Sequence, residues 1–136
     1  MLKAANLIKA IIVTVENKVG VLAEMAMILS DHGINIDAVK GYADGGQAKI
    51  MLITQDNPRA IDALKKSGYG SVSENEMIML ELENKPGALK NITANLAGKG
   101  IDIKFICGTT FSLGSPAKII LSTSDDKKAL VAIEEK

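Results

Sequence analysis

Aromatic side chains are scarce in this chain, with two tyrosines, two phenylalanines and no tryptophan among 136 residues. A sheet that reads RNA by stacking bases needs exposed aromatic rings on a basic surface, and Tyr42, Tyr69, Phe105 and Phe111 are all that is on offer. Sixteen Lys plus Arg against sixteen Asp plus Glu leave a formal charge of zero. No net field draws in a phosphate backbone or an anionic bilayer, so neither nucleic acid nor membrane is expected as a partner. Cys107 is the only cysteine, which excludes an internal disulfide, a Cys-X-X-Cys metal-transfer loop and a cysteine-based metal site. It agrees with a reducing compartment, and a cytoplasmic location is expected. Arg59 is the only arginine, so recognition of a carboxylate by a guanidinium fork is nearly excluded. The N-terminal run is interrupted by Asn6 and Lys9, which leaves no signal-peptide core and nothing long enough to span a bilayer.

What the chain does contain is a core-forming composition, 47% hydrophobic and 24% charged, and an internal repeat. Val15 to Ile36 reads VENKVGVLAEMAMILSDHGINI and Leu82 to Ile103 reads LENKPGALKNITANLAGKGIDI. At a constant offset of 67 residues, nine of the 22 positions are identical, among them Glu16/Glu83, Asn17/Asn84, Lys18/Lys85, Gly20/Gly87, Leu22/Leu89 and Gly33/Gly100. A period this long marks a duplicated small domain rather than a solenoid, whose repeats run about 20 to 50 residues.

In the first repeat Ile11, Val13 and Val15 alternate with Ile12, Thr14 and Glu16, the period of a strand with one better-buried face. The chain turns at Asn17–Gly20. Leu22, Met25, Ala26 and Leu29 then form an apolar stripe on a helix that stops near Gly33, a left-handed C-terminal cap. Ile34, Ile36 and Ala38 begin a strand, Asp44–Gly46 turn a hairpin, and Lys49 to Thr54 return. A second helix opens at Pro58 with Asp56 or Asn57 as cap, turns Ile61 and Leu64 inward, and is followed by a short strand around Ser71 to Ser73.

The second repeat predicts a strand over 77–83, a helix over 88–97, strands over 101–108 and 117–123, and a helix over 125–134. The first repeat therefore follows βαββαβ order and the second the same order without its last strand, with two helices on one face of an antiparallel ferredoxin-like sheet. The fold class is α+β, with boundaries at 1–75 and 76–136. The second repeat lacks residues for its own fourth strand, leaving the strand Met77–Glu83 with a bare edge. The extra residues Met1–Lys9, or a second chain, are expected to cover it.

Chemistry concentrates where each repeat places Asn-Lys-X-Gly between strand and helix. The free N–H groups of a first helical turn and the positive end of its dipole attract a small carboxylate, worth roughly 0.3 to 2 kcal/mol from the dipole. Asn17 or Asn84 beside it adds an acceptor and two donors, which suits a zwitterion. The plainer role for these asparagines is to cap or turn the chain before the helix. His32 at a helix C-terminus complements the dipole, Cys107 reads as a packed strand residue, and Met25, Met27, Met51, Met77 and Met79 read as core filling. The Gly108–Pro116 hairpin opens no helix and so lacks phosphate-loop geometry. No acid, base and nucleophile set is assembled, so catalysis is not expected, nor is a cofactor or a metal.

Both motif stretches resemble the ACT domain, the amino-acid-sensing module of phosphoglycerate dehydrogenase, aspartate kinase and the acetolactate synthase regulatory subunit. The resemblance covers nearly the whole chain. It implies two tandem ferredoxin-like ACT repeats, side-by-side pairing of sheets, amino acids bound at ACT–ACT interfaces, and regulation rather than catalysis. Carried over, the ligand contacts fall on Asn17, Val19, Gly20, Val21 and Leu22, with Asn35 reaching across an interface, and in the second repeat on Asn84, Gly87, Ala88 and Leu89. Asp102 replaces the asparagine there; as a pure acceptor it suits an ammonium group and repels a carboxylate. Two roles follow. One is an amino-acid-binding regulator, expected as a homodimer through sheet edges or helices, that signals to a metabolic enzyme. The other is a constitutive regulatory or scaffolding subunit of an amino-acid biosynthetic enzyme, acting by contact without a ligand of its own.

Overall fold

The computed structural model describes residues 2–110 and 114–134; Met1, the centre of the Gly108–Pro116 hairpin and the last two residues lie outside the described residues. Among the described residues, six strands and four helices give an α+β arrangement: β1 (Leu2–Glu16), α1 (Val21–Asp31), β2 (Ile36–Asp44), β3 (Gln47–Thr54), α2 (Asn57–Lys66), β4 (Val72–Leu82), α3 (Ala88–Gly98), β5 (Ile103–Thr109), β6 (Ala117–Thr123) and α4 (Asp126–Glu134). They divide into two compact units. One is Lys9–Asn75; the other joins Met1–Ile8 to Glu76–Lys136.

In the unit formed by residues 9–75 the strands lie in the order β2-β3-β1-β4, the ferredoxin-like arrangement. β1 and β3 are antiparallel, with Ile11 opposite Leu52 and Val13 opposite Ile50. The same alternation that marks β1 as a strand sends Ile11 and Val13 to one face, where both are fully buried against Met25 and Leu29 of α1 and Leu64 of α2. The stripe of α1 is turned from its predicted position. Met25, Ile28 and Leu29 are buried, whereas Leu22 and Ala26 are exposed. A stripe through Val21, Met25, Ile28 and Leu29 keeps helical spacing equally well, and it takes Ile28 rather than Ala26 out of water, the larger apolar gain.

Both ends of these helices follow from sequence. Gly33 adopts φ 69, and Ile34 N–H reaches back to the Leu29 carbonyl at 2.9 Å, a left-handed cap closed by a six-to-one hydrogen bond. Gly100, with φ 70, and the Ile101 N–H to Leu96 carbonyl bond at 3.0 Å repeat it. Asp56 caps α2 by accepting from Arg59 N–H at 3.2 Å, with Pro58 in the first turn. Asp125 accepts from Lys128 N–H at 3.1 Å in the same way. Tyr69 packs on the 9–75 core, and burial, then a hydrogen bond to Glu24, push its hydroxyl up to about 12.

The other unit has neighbours in the order β1-β4-β6-β5. Ile78, Leu80 and Leu82 of β4 and Leu121 of β6 are buried against Ile92 and Leu96 of α3 and Ala129 and Ile133 of α4. Leu2 and Ala5 pack on the same core, so the N-terminal residues up to Ile8 occupy the place beside β4 in this unit. Where the sequence predicts separate strands around 71–73 and 77–83, one strand runs from Val72 to Leu82. Ser73–Glu76 are polar, but they contain neither glycine nor proline and nothing in them stops a strand.

Replacing the fully buried Leu52 or Leu80 by alanine is expected to cost about 2 to 5 kcal/mol, measured by urea unfolding. A raised tyrosine pKa favours the neutral form, so its contribution is complete below the unfolded value of 10.0 and disappears as pH rises through about 12. Tyr69→Phe should therefore flatten the loss of stability over that window relative to the unchanged protein. Deleting residues 2–8 should raise amide exchange along 76–82, since β4 loses its neighbour; unchanged protection there would contradict the strand order.

Candidate functional site

Gly20 is the N-cap of α1 at φ 90, and Gly87 is the N-cap of α3 at φ 86. A residue in that left-handed region is glycine at little cost, and glycine brings no side chain to accept from the first-turn amides. Among the described residues neither α1 nor α3 has a side-chain cap, so Asn17 and Asn84 are not caps. α2 and α4 have theirs from Asp56 and Asp125. The geometry of a helix gives the amides at its second and third positions, Leu22 and Ala23 in α1 and Leu89 and Lys90 in α3, no intrahelical acceptor.

Each uncapped terminus fronts a groove. In the 9–75 unit a groove of about 560 Å³ is bounded by Asn17, Lys18 and Gly20–Ala23 on one side and by Val39, Gly41 to Ala43, Ala48 and Ile50 of the β2–β3 hairpin on the other. In the 76–134 unit a groove of about 420 Å³ lies between Asn84 and Leu89 and the strand residues Ile106 to Thr110, Ala117 and Ile119. Asn17, Leu22, Val39, Gly41 to Ala43, Ala48 and Ile50 have counterparts in the second groove, offset by 67 residues as far as Thr110 and by 69 beyond the longer hairpin. Two bulges aim the strand residues. Register shifts between Ile36 and Ala38 in β2 and between Ile103 and Phe105 in β5, so Val39, Gly41 and Ala43, paired with Leu52, Ile50 and Ala48, share the helix-side face. Gly41 and Gly108 form the floor. A Cβ on Gly108 would approach Ile119 Cγ1 to 2.9 Å, and one on Gly41 would meet Ile50 Cγ1 at 3.6 Å.

The charges around these grooves are largely neutralised locally. Lys18 Nζ lies 3.5 Å from Glu16 and Lys85 Nζ lies 2.9 Å from Glu83, and the Lys85 hydrogen bond holds the Glu83 carboxyl below the usual carboxylate range. Glu24, in the first turn of α1, accepts the Tyr69 hydroxyl. What faces each groove is therefore an apolar surface with open amides at one end, a match for a ligand with a carboxylate and an apolar tail. No group of three or more metal-ligating side chains is assembled among the described residues, and no helix among them is long and apolar enough to cross a membrane.

Of the residues singled out from sequence, Asn17, Gly20, Val21 and Leu22 come together in the first groove and Asn84 and Leu89 in the second. Val19 is fully exposed beside the first, and Ala88 is buried in the core beneath the second. Gly87 is the cap of α3. Asn35 and Asp102 lie past the opposite ends of α1 and α3. The Asn35 amide donates to Asp37 Oδ1 at 2.9 Å, and the Asp102 backbone pairs with Ser124, accepting from its N–H at 2.9 Å and donating to its hydroxyl at 3.1 Å. The strand residues Val39, Gly41, Ile106 and Gly108 are not evident from periodicity, because the bulges reverse the inward phase. Their signal is the repeat itself, which continues beyond Ile36 to the identical Gly41 and Gly108.

No curated protein matches the chain. Among solved structures, a protein of Bacteroides thetaiotaomicron is similar with a TM-score of 0.85 and 24% identity, over 96% of this chain and 88% of its own. The ligand-free regulatory subunit of aspartate kinase from Thermus thermophilus is similar at 0.66 and 17%, over 97% and 95%. The alpha and beta subunits of an aspartokinase are similar at 0.63 and 17%, over 98% and 94%. At these identities the likeness is one of fold. The ACT domain family model matches residues 9–66, a segment inside the Lys9–Asn75 unit that holds α1, its glycine cap and the first groove.

Proposed function

We propose that the protein is a non-catalytic regulator that binds an amino acid at its strand-to-helix loops and passes that occupancy to a metabolic enzyme or regulator. The observation that carries this reading is the pairing of an uncapped helix terminus with an apolar groove in both units, while the two helices without grooves are capped by aspartate. The ligand carboxylate takes the Leu22 and Ala23 amides, Asn17 meets the ammonium group, and the side chain lies on Val39, Ala48 and Ile50. On this reading both units are ACT domains in tandem, and the repeated motif supports the second assignment. The half-exposed Val39 and Tyr42 on the outer strand β2 offer a second copy of the chain an edge to pair with. The fold likeness to regulatory subunits of aspartate kinase supports a regulatory role, and it favours one alternative: a subunit that regulates by contact alone.

Thermal unfolding against each of the twenty amino acids separates the two. A ligand at 100 times its dissociation constant adds about 2.7 kcal/mol and raises the midpoint by several degrees. A selective rise identifies the regulator and its signal, whereas no rise with any of them, from folded protein, leaves the contact-only subunit. Asn17→Ala is expected to weaken binding to the first groove about tenfold, measured by titration calorimetry, and Asn84→Ala to leave that site unchanged. The reverse pattern would assign the working site to the second groove.

A further inference from the structure

Gly41 is a glycine that the fold itself does not require, and we infer that it keeps clear the floor on which the aliphatic side chain of an amino acid rests in the first groove, as the residue that sets specificity there. The inference rests on the amino-acid-binding reading above and adds the class of side chain and the position that selects it.

A glycine inside a strand weakens it, because its backbone loses more freedom on folding and it packs no side chain. Two local demands can nevertheless require one. The first is a left-handed backbone, and neither Gly41 nor Gly108 is among the glycines with positive φ. The second is lack of room. At Gly108 that demand is present, since a Cβ would approach Ile119 Cγ1 to 2.9 Å and the Lys118 carbonyl oxygen to 3.2 Å. At Gly41 it is absent: a Cβ would meet Ile50 Cγ1 at 3.6 Å and the Lys49 carbonyl oxygen at 3.9 Å, both ordinary van der Waals contacts. Alanine would therefore fit at position 41 of the free protein, and it would not fit at position 108 without a shift of the neighbouring strand.

What a side chain at position 41 would fill is the groove. The register of β2 on β3 sets Val39, Gly41 and Ala43 opposite Leu52, Ile50 and Ala48, so Gly41 lies between Val39 and Ala43 along the strand and beside Ile50. All of these neighbours are aliphatic. Ala48 and Ile50 are buried, whereas Val39 is 50% exposed, and Leu22 on the helix side of the groove is 45% exposed. Apolar surface left half open on both sides of a bare glycine suits a branched aliphatic side chain, which gains in proportion to the apolar area it removes from water. A Cβ on Gly41 would stand in the place of that side chain.

Gly41→Ala separates folding from binding. Thermal unfolding without added amino acid should show a midpoint raised by about 1 to 4 °C, because the substitution restricts the unfolded chain and meets no clash in the folded one. Titration calorimetry on the full chain with L-valine, L-leucine and L-isoleucine should show affinity lowered about tenfold or more, and Gly41→Val should deepen the loss. A Gly41→Ala protein less stable than the unchanged one would assign the glycine to packing, and one that binds these amino acids as tightly as before would remove Gly41 from recognition. Binding confined to charged or aromatic amino acids would remove the aliphatic class. Each of these results overturns the inference while amino-acid binding stands; if none of the twenty amino acids binds the unchanged protein, both readings fall together.

Discussion

The turn from strand into helix at Gly20 and Gly87 demands a left-handed backbone, and that demand governs much of what surrounds it. Only glycine meets it at low cost, and glycine cannot do what Asp56 and Asp125 do one helix later in each unit. The price of the turn is a helix whose first amides go unanswered by the protein. Water answers them in the free state, and anything with a carboxylate competes with that water on favourable terms. A terminus without a groove would hold such a ligand weakly; here the bulges of β2 and β5 bring an apolar wall alongside it. Cap, bulge and floor glycine thus recur together in both units, as the proposed ligand site requires.

The sequence foretells elements with strong periods and strong punctuation. β1 and its buried face, the hairpin at Asp44–Gly46, the Asp56 cap and the glycine stops at Gly33 and Gly100 are all legible, because each rests on a local backbone preference that tertiary packing does not overrule. Two features are not. The face of α1 depends on whether Ala26 or Ile28 turns inward, and both fit a helical stripe until the sheet beneath decides. The inward residues of β2 cannot be found by continuing Ile34 and Ile36, since one bulged residue exchanges the two faces of everything after it. Of the candidate site, the helix side at Asn17–Leu22 and at Asn84 and Leu89 is legible from the repeated motif, and the sheet side is hidden by that reversal.

Comparing the units position by position separates what packing fixes from what it leaves open. Ile50 and Ile119, Leu52 and Leu121, and Leu29 and Leu96 keep their chemistry and their burial. Even a peripheral network persists: Thr54 and Thr123 each donate from backbone and hydroxyl to the side chain three residues on, Asn57 at 3.1 and 2.7 Å and Asp126 at 2.8 and 2.7 Å. Divergence falls on the groove wall, where Tyr42 and Ala43 answer to Thr109 and Thr110. Core positions resist change because volume errors cost kilocalories, while half-exposed wall positions are free to drift or to specialise.

The strand that begins the chain has a consequence for how the chain reaches its fold. Residues 9–75 contain every partner that their own unit needs, so this unit can close over short loops as soon as it has been synthesised. The unit of residues 76–134 needs Leu2–Ile8 beside β4, a pairing across some seventy residues whose loop-closure entropy must be met before any contact repays it. Within residues 9–75 the Thr14 N–H donates to the Ser71 carbonyl at 3.1 Å, at the entry to β4. By contact order, the unit of residues 76–134 is therefore expected to close more slowly than the unit of residues 9–75.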